Sequence, residues 1–110
     1  MAQNFKNQFE HVSTTAEEIL DQVNSFDAVI GIRLANVSGS NISVDVYIVR
    51  ASPSGTFYII KNAEILQGSS LELIDGGSKI VLADGDKIMA VTNVVDSLDT
   101  VVSYIDAVST

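Results

Sequence analysis

The sequence predicts an all-β domain, a single sandwich of about eight antiparallel strands in a jelly-roll or immunoglobulin-like arrangement. Three observations carry that expectation. The apolar residues are mainly Val, Ile, Leu and Ala, with few aromatics and no Trp, and β-branched side chains fit the pleated, half-buried surface of a sheet. From Ala28 onward, apolar and polar residues alternate in short runs. Clusters of Gly, Ser, Asn and Asp separate those runs roughly every 8–12 residues, with no long helical stretch between them. A chain of 110 residues supports one domain and a modest core.

The elements follow in order. Residues 1–12 carry Phe5 and Phe9 among polar neighbours and read as an N-terminal arm or an edge strand, leaving 13–110 as the sandwich. Segment 14–23 (TTAEEILDQV) is open to two readings. Thr14 and Glu17 have capping-box spacing, and Ile19 and Val23 would share a helical face; a ten-residue helix is short, however, and the Thr-rich entry favours an extended segment. In 28–37, Ala28, Ile30, Ile32 and Leu34 share one face. In 42–50, Ile42, Val44, Val46 and Ile48 point one way and Ser43, Asp45 and Tyr47 the other. The intervening SGSN (38–41) predicts a hairpin.

ASPSG (51–55), with the one proline, is a turn by composition. Short strands follow at 57–60 (FYII), 63–66 (AEIL) and 71–74 (LELI), separated by QGSS and DGGS. KIVL (79–82) leads through the turn ADGD (83–86) into KIMAVTNVV (87–95), and TVVSYIDAV (100–108) follows after DSLD. Phe57 and Tyr58 are adjacent, so one is expected in the core and the other exposed as an interface anchor.

A search for chemistry finds none. The chain has no Cys, which excludes disulfides, thiolate metal sites and Cys nucleophiles. Its one histidine, His11, would be needed for a Ser–His–Asp triad or a His acid–base pair, but it falls in the arm, where nothing rigid is expected to hold it. Asp84-Gly85-Asp86, with Asp75 nearby, has carboxylates for a cation but lacks the spaced ligand run of an EF-hand, and Asp-Gly pairs are ordinary turn residues. Glu64 and Glu72 would form a glycosidase pair, yet the chain offers no Trp platform and little mass for a cleft. Gly76-Gly77-Ser78-Lys79 lacks the remaining P-loop spacing, and the sequons at Asn36 and Asn41 have no secretion signal before them. No catalytic residue, metal or cofactor is expected.

The formal net charge is −8, from acids scattered along the chain, which favours solubility. The six basic residues (Lys6, Arg33, Arg50, Lys61, Lys79, Lys87) are dispersed, and phosphate binding needs clustered cations, so nucleic acid is not an expected partner. No apolar run approaches the roughly 20 residues that span a bilayer. The sequence MAQNFKNQFE has no apolar signal core. A soluble protein made in a cytoplasm, with no membrane partner, is the expectation.

Several stretches resemble the small β-rich virion structural proteins of tailed phages, particularly those of marine bacteria and cyanobacteria. They are FKN (Phe5–Asn7), LANVSGSNISVDVYIV (34–49), Gly-Ser-Ser-Leu (68–71), KIVLADGDKI (79–88) and VVSYID (101–106). In that pattern an Ala-Asn-X-X-Gly turn joins two strands and a Leu-X-X-Gly-Asp element begins the penultimate one. The resemblance covers nearly the whole chain through motifs of turn and strand, and it implies a non-enzymatic particle component. Such a component would be a capsid decoration (cement) subunit, or a ring or adaptor at the neck or tail. Its partners would be copies of itself and other virion proteins, the major capsid protein or portal, neck and tail proteins. Phe5, Phe9, Phe57 and Tyr58 are the candidate contact residues. A lectin-like or receptor-binding sandwich on a phage fibre is the alternative.

Overall fold

The alternation in 42–50 carries directly into a strand: Ile42, Val44 and Val46 are buried while Ser43, Asp45 and Tyr47 face outward. A computed structural model of the chain describes residues 4–21, 26–74 and 79–106. Within them lie β1 (Asn4–Val12), β2 (Glu17–Leu20), β3 (Asp27–Asn36), β4 (Ile42–Ala51), β5 (Ser54–Ile65), β6 (Ser70–Glu72), β7 (Ile80–Leu82), β8 (Lys87–Thr92) and β9 (Leu98–Asp106). One antiparallel sheet has the order β1-β9-β3-β6, and β7 also pairs with β3. The other has the order β2-β8-β4-β5. Their inner faces supply the core, in which Ile19, Val29, Ile32, Leu34, Val44, Val46, Ile88 and Val102 are fully buried.

This order is a jelly roll. β6 pairs with 33–35 and β7 with 27–29, so the two short strands share one edge of β3. Nine strands therefore fill eight positions, four per sheet. Among the described strands only β4 and β5 form a hairpin, turning through Ser52-Pro53, whose peptide bond is cis. The β1–β2, β2–β3, β3–β4, β5–β6, β7–β8 and β8–β9 connections all pass from one sheet to the other.

The hairpin expected at SGSN is therefore an arch between the sheets. The residue that makes it an arch is Asn36. Its Nδ2 donates to the carbonyls of Ser40 (2.8 Å) and Ile65 (2.9 Å), and its Oδ1 accepts the Ser38 amide (2.9 Å) and hydroxyl (2.8 Å). Backbone groups leaving a ladder need new partners when buried, and other arches use the same device. Asp86 accepts the amides of Ala51 (3.1 Å) and Ala83 (3.0 Å) between β7 and β8. Thr92 Oγ1 donates to the Val94 carbonyl (2.7 Å) between β8 and β9. Asn36, Asp86 and Thr92 are all buried polar residues.

Register shifts in the β2–β8, β3–β9 and β4–β5 pairings break the expected phase, two of them with visible consequences for the sequence reading. In β3 the register shifts between Val29 and Gly31, so the inward set is Val29, Ile32 and Leu34, while Ile30 is 37% exposed. In β5, Asn62 adopts φ 55° and its amide donates to Asp45 Oδ1 (2.7 Å), which joins the two runs 57–60 and 63–66 into one bulged strand. The 14–23 segment is extended at Glu17–Leu20, and its last two residues lie outside the described ones. The 87–95 run ends its pairing at Thr92, and positions 107–108 of the last run also lie outside the description.

Candidate protein-interaction surfaces

Residues 4–12 are not a free arm. Every one of them is paired with β9, from Asn4 opposite Asp106 to Val12 opposite Leu98, and β1 is an edge strand. Because side chains alternate across a strand, the inward set of β9 (Leu98, Thr100, Val102) fixes Asp99, Val101, Ser103 and Ile105 as outward. Phe5 stands opposite Ile105, and Phe9 opposite Val101. Both rings are therefore on the outer face, Phe5 at 72% and Phe9 at 67% exposure.

The register extends those pairs across the whole sheet. One row reads Phe5, Ile105, Ala28, Val81 and is apolar from edge to edge. The next holds only Asn7, Ser103 and Gly31, residues with little bulk. Beyond it, Phe9 and Val101 meet Arg33 and Glu72, whose Nε and Oε1 are 3.5 Å apart. Ile105 and Val81 were not singled out by sequence reasoning. The even spacing of Phe5 and Phe9 was a readable sign that they share a strand face.

Phe57 and Tyr58 do not divide as expected. Phe57 is 55% exposed and Tyr58 49%. Phe57 pairs with Ile48 and faces inward, but β5 is an edge strand and the nearby β7 is three residues long, so the ring is left uncovered. It lines a cleft of about 270 Å³ together with Phe26, Ile48, Val81 and Leu82. Arg50 and Asp86 also line it. Arg50 Nε lies 3.4 Å from Asp86 Oδ2, an ion pair without a directed hydrogen bond.

Tyr58 faces out from the second sheet, in the row Glu18, Met89, Tyr47, Tyr58. The two tyrosine rings are 5.2 Å apart at 47°. Lys61 Nζ sits 4.5 Å above the Tyr58 ring and 3.9 Å from Asp45, a cation–π contact at a partly exposed site.

His11 is held in place, contrary to expectation: its Nδ1 is 2.7 Å from Asp99 Oδ1 across the β1–β9 pair. The hydrogen bond and the charge of Asp99 raise the histidine pKa above 6.5. Lys6 is likewise raised by its hydrogen bond and ion pair with Asp106, at 2.8 Å. Glu64 and Glu72 lie on different sheets, and Glu72 accepts the Ile32 amide (3.1 Å). Asp86 is buried within the ADGD turn, while Asp75 and Gly76-Gly77-Ser78 lie outside the described residues. Among the described residues no group of three or more His, Asp or Glu gathers to hold a metal ion, and no helix is long and apolar enough to cross a membrane.

No protein-family model and no curated protein matches the chain. Among solved structures, the fold is similar to a protein of the Bacillus endospore appendages, a family of disulfide-linked pili. The identity is 14%, the match covers 98% of this chain and 88% of that one, and the TM-score is 0.54. It is also similar to the Drosophila NLP core, whose structure concerns pentamer formation and histone binding. There the identity is 6%, the coverage 94% and 95%, and the TM-score 0.50. At these identities the likeness is one of fold.

Proposed function

We propose that this chain is a non-enzymatic assembly subunit of a tailed-phage virion, a decoration subunit of the head or a ring or adaptor at the neck or tail. It works by burying surface against neighbouring protein. The observation that carries this reading is the outward apolar row Phe5–Ile105–Ala28–Val81, in which Phe5 and Val81 stand exposed at the two edges, Ile105 is half-buried and Ala28 is covered by its neighbours. A row of that kind beside a strip of small residues (Asn7, Ser103, Gly31) lets another surface approach closely. Large apolar side chains left this exposed, Phe5 at one edge and Val81 at the other, are the kind of surface that protein contacts use.

Supporting features agree with it. Jelly rolls are a common form of capsid domains, and the turn-and-strand motifs at 34–49 and 79–88 resemble virion proteins. Both similar folds come from proteins described in terms of assembly, pili in one case and a pentamer in the other. This chain lacks the cysteines for disulfide linkage, so disulfides do not join its copies. Specific interfaces bury roughly 1,200–2,000 Å² in total, and repetition on a symmetric particle multiplies weak contacts through avidity.

The test is a copy count by quantitative mass spectrometry of purified virions, scaled to the major capsid protein. Hundreds of copies mean a decoration subunit, and a small multiple of six means the neck or tail. Complete absence overturns the proposal.

A further inference from the structure

The apolar row of the first sheet begins at Phe5 on one lateral edge of the sandwich and ends at Val81 on the other. Val81 is also a rim of the cleft formed with Phe26 and Phe57. A protruding ring and an apolar hollow thus sit on opposite edges of one molecule, at the same height along the strands. Resting on the assembly reading above, we infer that Phe5 of one copy seats in the Phe26–Phe57–Val81 cleft of the next, joining copies head to tail into a closed ring.

Size fits the pairing. A dry apolar cavity of about 150 Å³ holds a benzene ring, and this open cleft measures about 270 Å³. With phenylalanine offering about 200 Å², a ring exposed at 72% has on the order of 140 Å² left to bury. The half-exposed Phe26, Phe57 and Val81 offer about twice that on the other side. Together they supply about 400 Å² of apolar burial, about a quarter of the roughly 1,600 Å² of a standard interface and the part that would form its apolar centre.

Symmetry selects the ring. A two-fold contact places the same patch on both partners, whereas a knob and hollow on different patches generate rings or open helices. A ring whose axis runs along the strands closes when both features lie at one height along that axis. Phe5 shares its row with Val81 and satisfies that condition. Phe9 lies four residues further along the strand, about 13 Å away at 3.3 Å per residue, and seating it would shift each copy and open the ring into a helix. The nearby charges are already partnered: Lys6 with Asp106 beside the knob, and Arg50 with Asp86 in the hollow. The remaining electrostatic force between copies of net charge −8 is repulsion, which salt screens. Association therefore strengthens as salt is raised, the opposite of binding to a basic partner.

Sedimentation velocity on the full chain, at rising concentration and at low and high salt, tests this. The expected species is a discrete oligomer of at least three copies. Phe5→Ser and Phe57→Ser each raise the dissociation constant by about 10- to 100-fold, with circular dichroism unchanged, and Phe9→Ser leaves the oligomer intact. A mixture of the Phe5→Ser and Phe57→Ser proteins restores one contact per pair and sediments as a dimer. A wild-type monomer at every concentration, a dimer indifferent to Phe5→Ser, or a mixture that stays monomeric overturns the inference. So does an open polymer that dissolves with Phe9→Ser. A monomer in solution that is nevertheless counted in virions refutes the ring alone. A ring absent from virions refutes the virion role alone.

Discussion

Asn36→Asp exchanges one NH₂ group for an oxygen and keeps the shape of the side chain. In the native arch Nδ2 donates to the carbonyls of Ser40 and Ile65, and Oδ1 accepts from Ser38. The variant retains the accepted bonds and loses both donated ones, each with a net value of about 1 kcal/mol. It also sets a carboxylate against two carbonyl oxygens at a site only 3% exposed, a buried charge hydrogen-bonded by Ser38 but with no cation to balance it. The combined cost at pH 7 is about 3–5 kcal/mol, a large share of the roughly 5–15 kcal/mol that stabilises a domain of this size. At low pH the carboxyl is protonated and donates one bond again, so the deficit falls to about 1–2 kcal/mol.

The sign follows from linkage. Burial raises the folded pKa of the new carboxyl above the unfolded value of about 3.9. The folded variant then holds its proton more tightly than the unfolded chain, and stability is lost as pH rises from the unfolded pKa through the folded one. The assay is urea unfolding of variant and wild type at pH 4.5 and pH 7, followed by circular dichroism. With a slope of about 1–3 kcal/mol per molar urea, the midpoint at pH 7 drops by about 1–5 M. A drop below about 0.5 M, or an equal drop at both pH values, would show that Asn36 does not hold the arch by donating.

Two further outcomes follow from positions described above. Gly85 has φ +92°, and a Cβ there would meet the Ala51 Cβ at 2.6 Å, so Gly85→Ala lowers stability by about 1–3 kcal/mol, whereas Gly39→Ala, with open space around it, is close to neutral; equal melting temperatures for the two variants would count against this. The raised pKa of His11 means that its pairing with Asp99 stabilises fully below pH 6.5 and is lost as pH rises through the folded pKa; proton NMR of the one histidine, folded and in urea, checks this, and a folded value at or below the unfolded one refutes it.

The strand content and the inward face of β4 were legible because strict alternation at Ile42, Val44, Val46 and Ile48 leaves one way to bury the apolar set. Two other features were not. A bulge moves the inward set by one residue without any change in local composition, which is why Ile30 turned out exposed while Val29 did not. A hairpin and an arch between sheets use the same Gly, Ser and Asn residues. What separates them is whether a buried polar side chain meets the backbone as it leaves the ladder, as Asn36 does through Ile65, 29 residues away. The pairing of β1 with β9 is longer in range still, so Phe5 and Phe9 looked isolated although Ile105 and Val101 lie beside them. Phe57 sits where the register places an inward residue, and only the shortness of β7 explains its exposure.

The last of the described strands, β9, is not at the margin of its sheet: it lies between β1 and β3. During synthesis the first strand therefore emerges roughly ninety residues before the one it pairs with, about 5–20 seconds at ordinary translation rates. Until then both β1 and β3 present unpaired backbone edges, the templates on which strands of other chains add. Completion of the jelly roll consequently waits until β9 has emerged, and it is slowed by loop closure over roughly ninety residues. A chain stopped before Leu98 keeps those edges open for good, so premature termination yields aggregation rather than a smaller working domain.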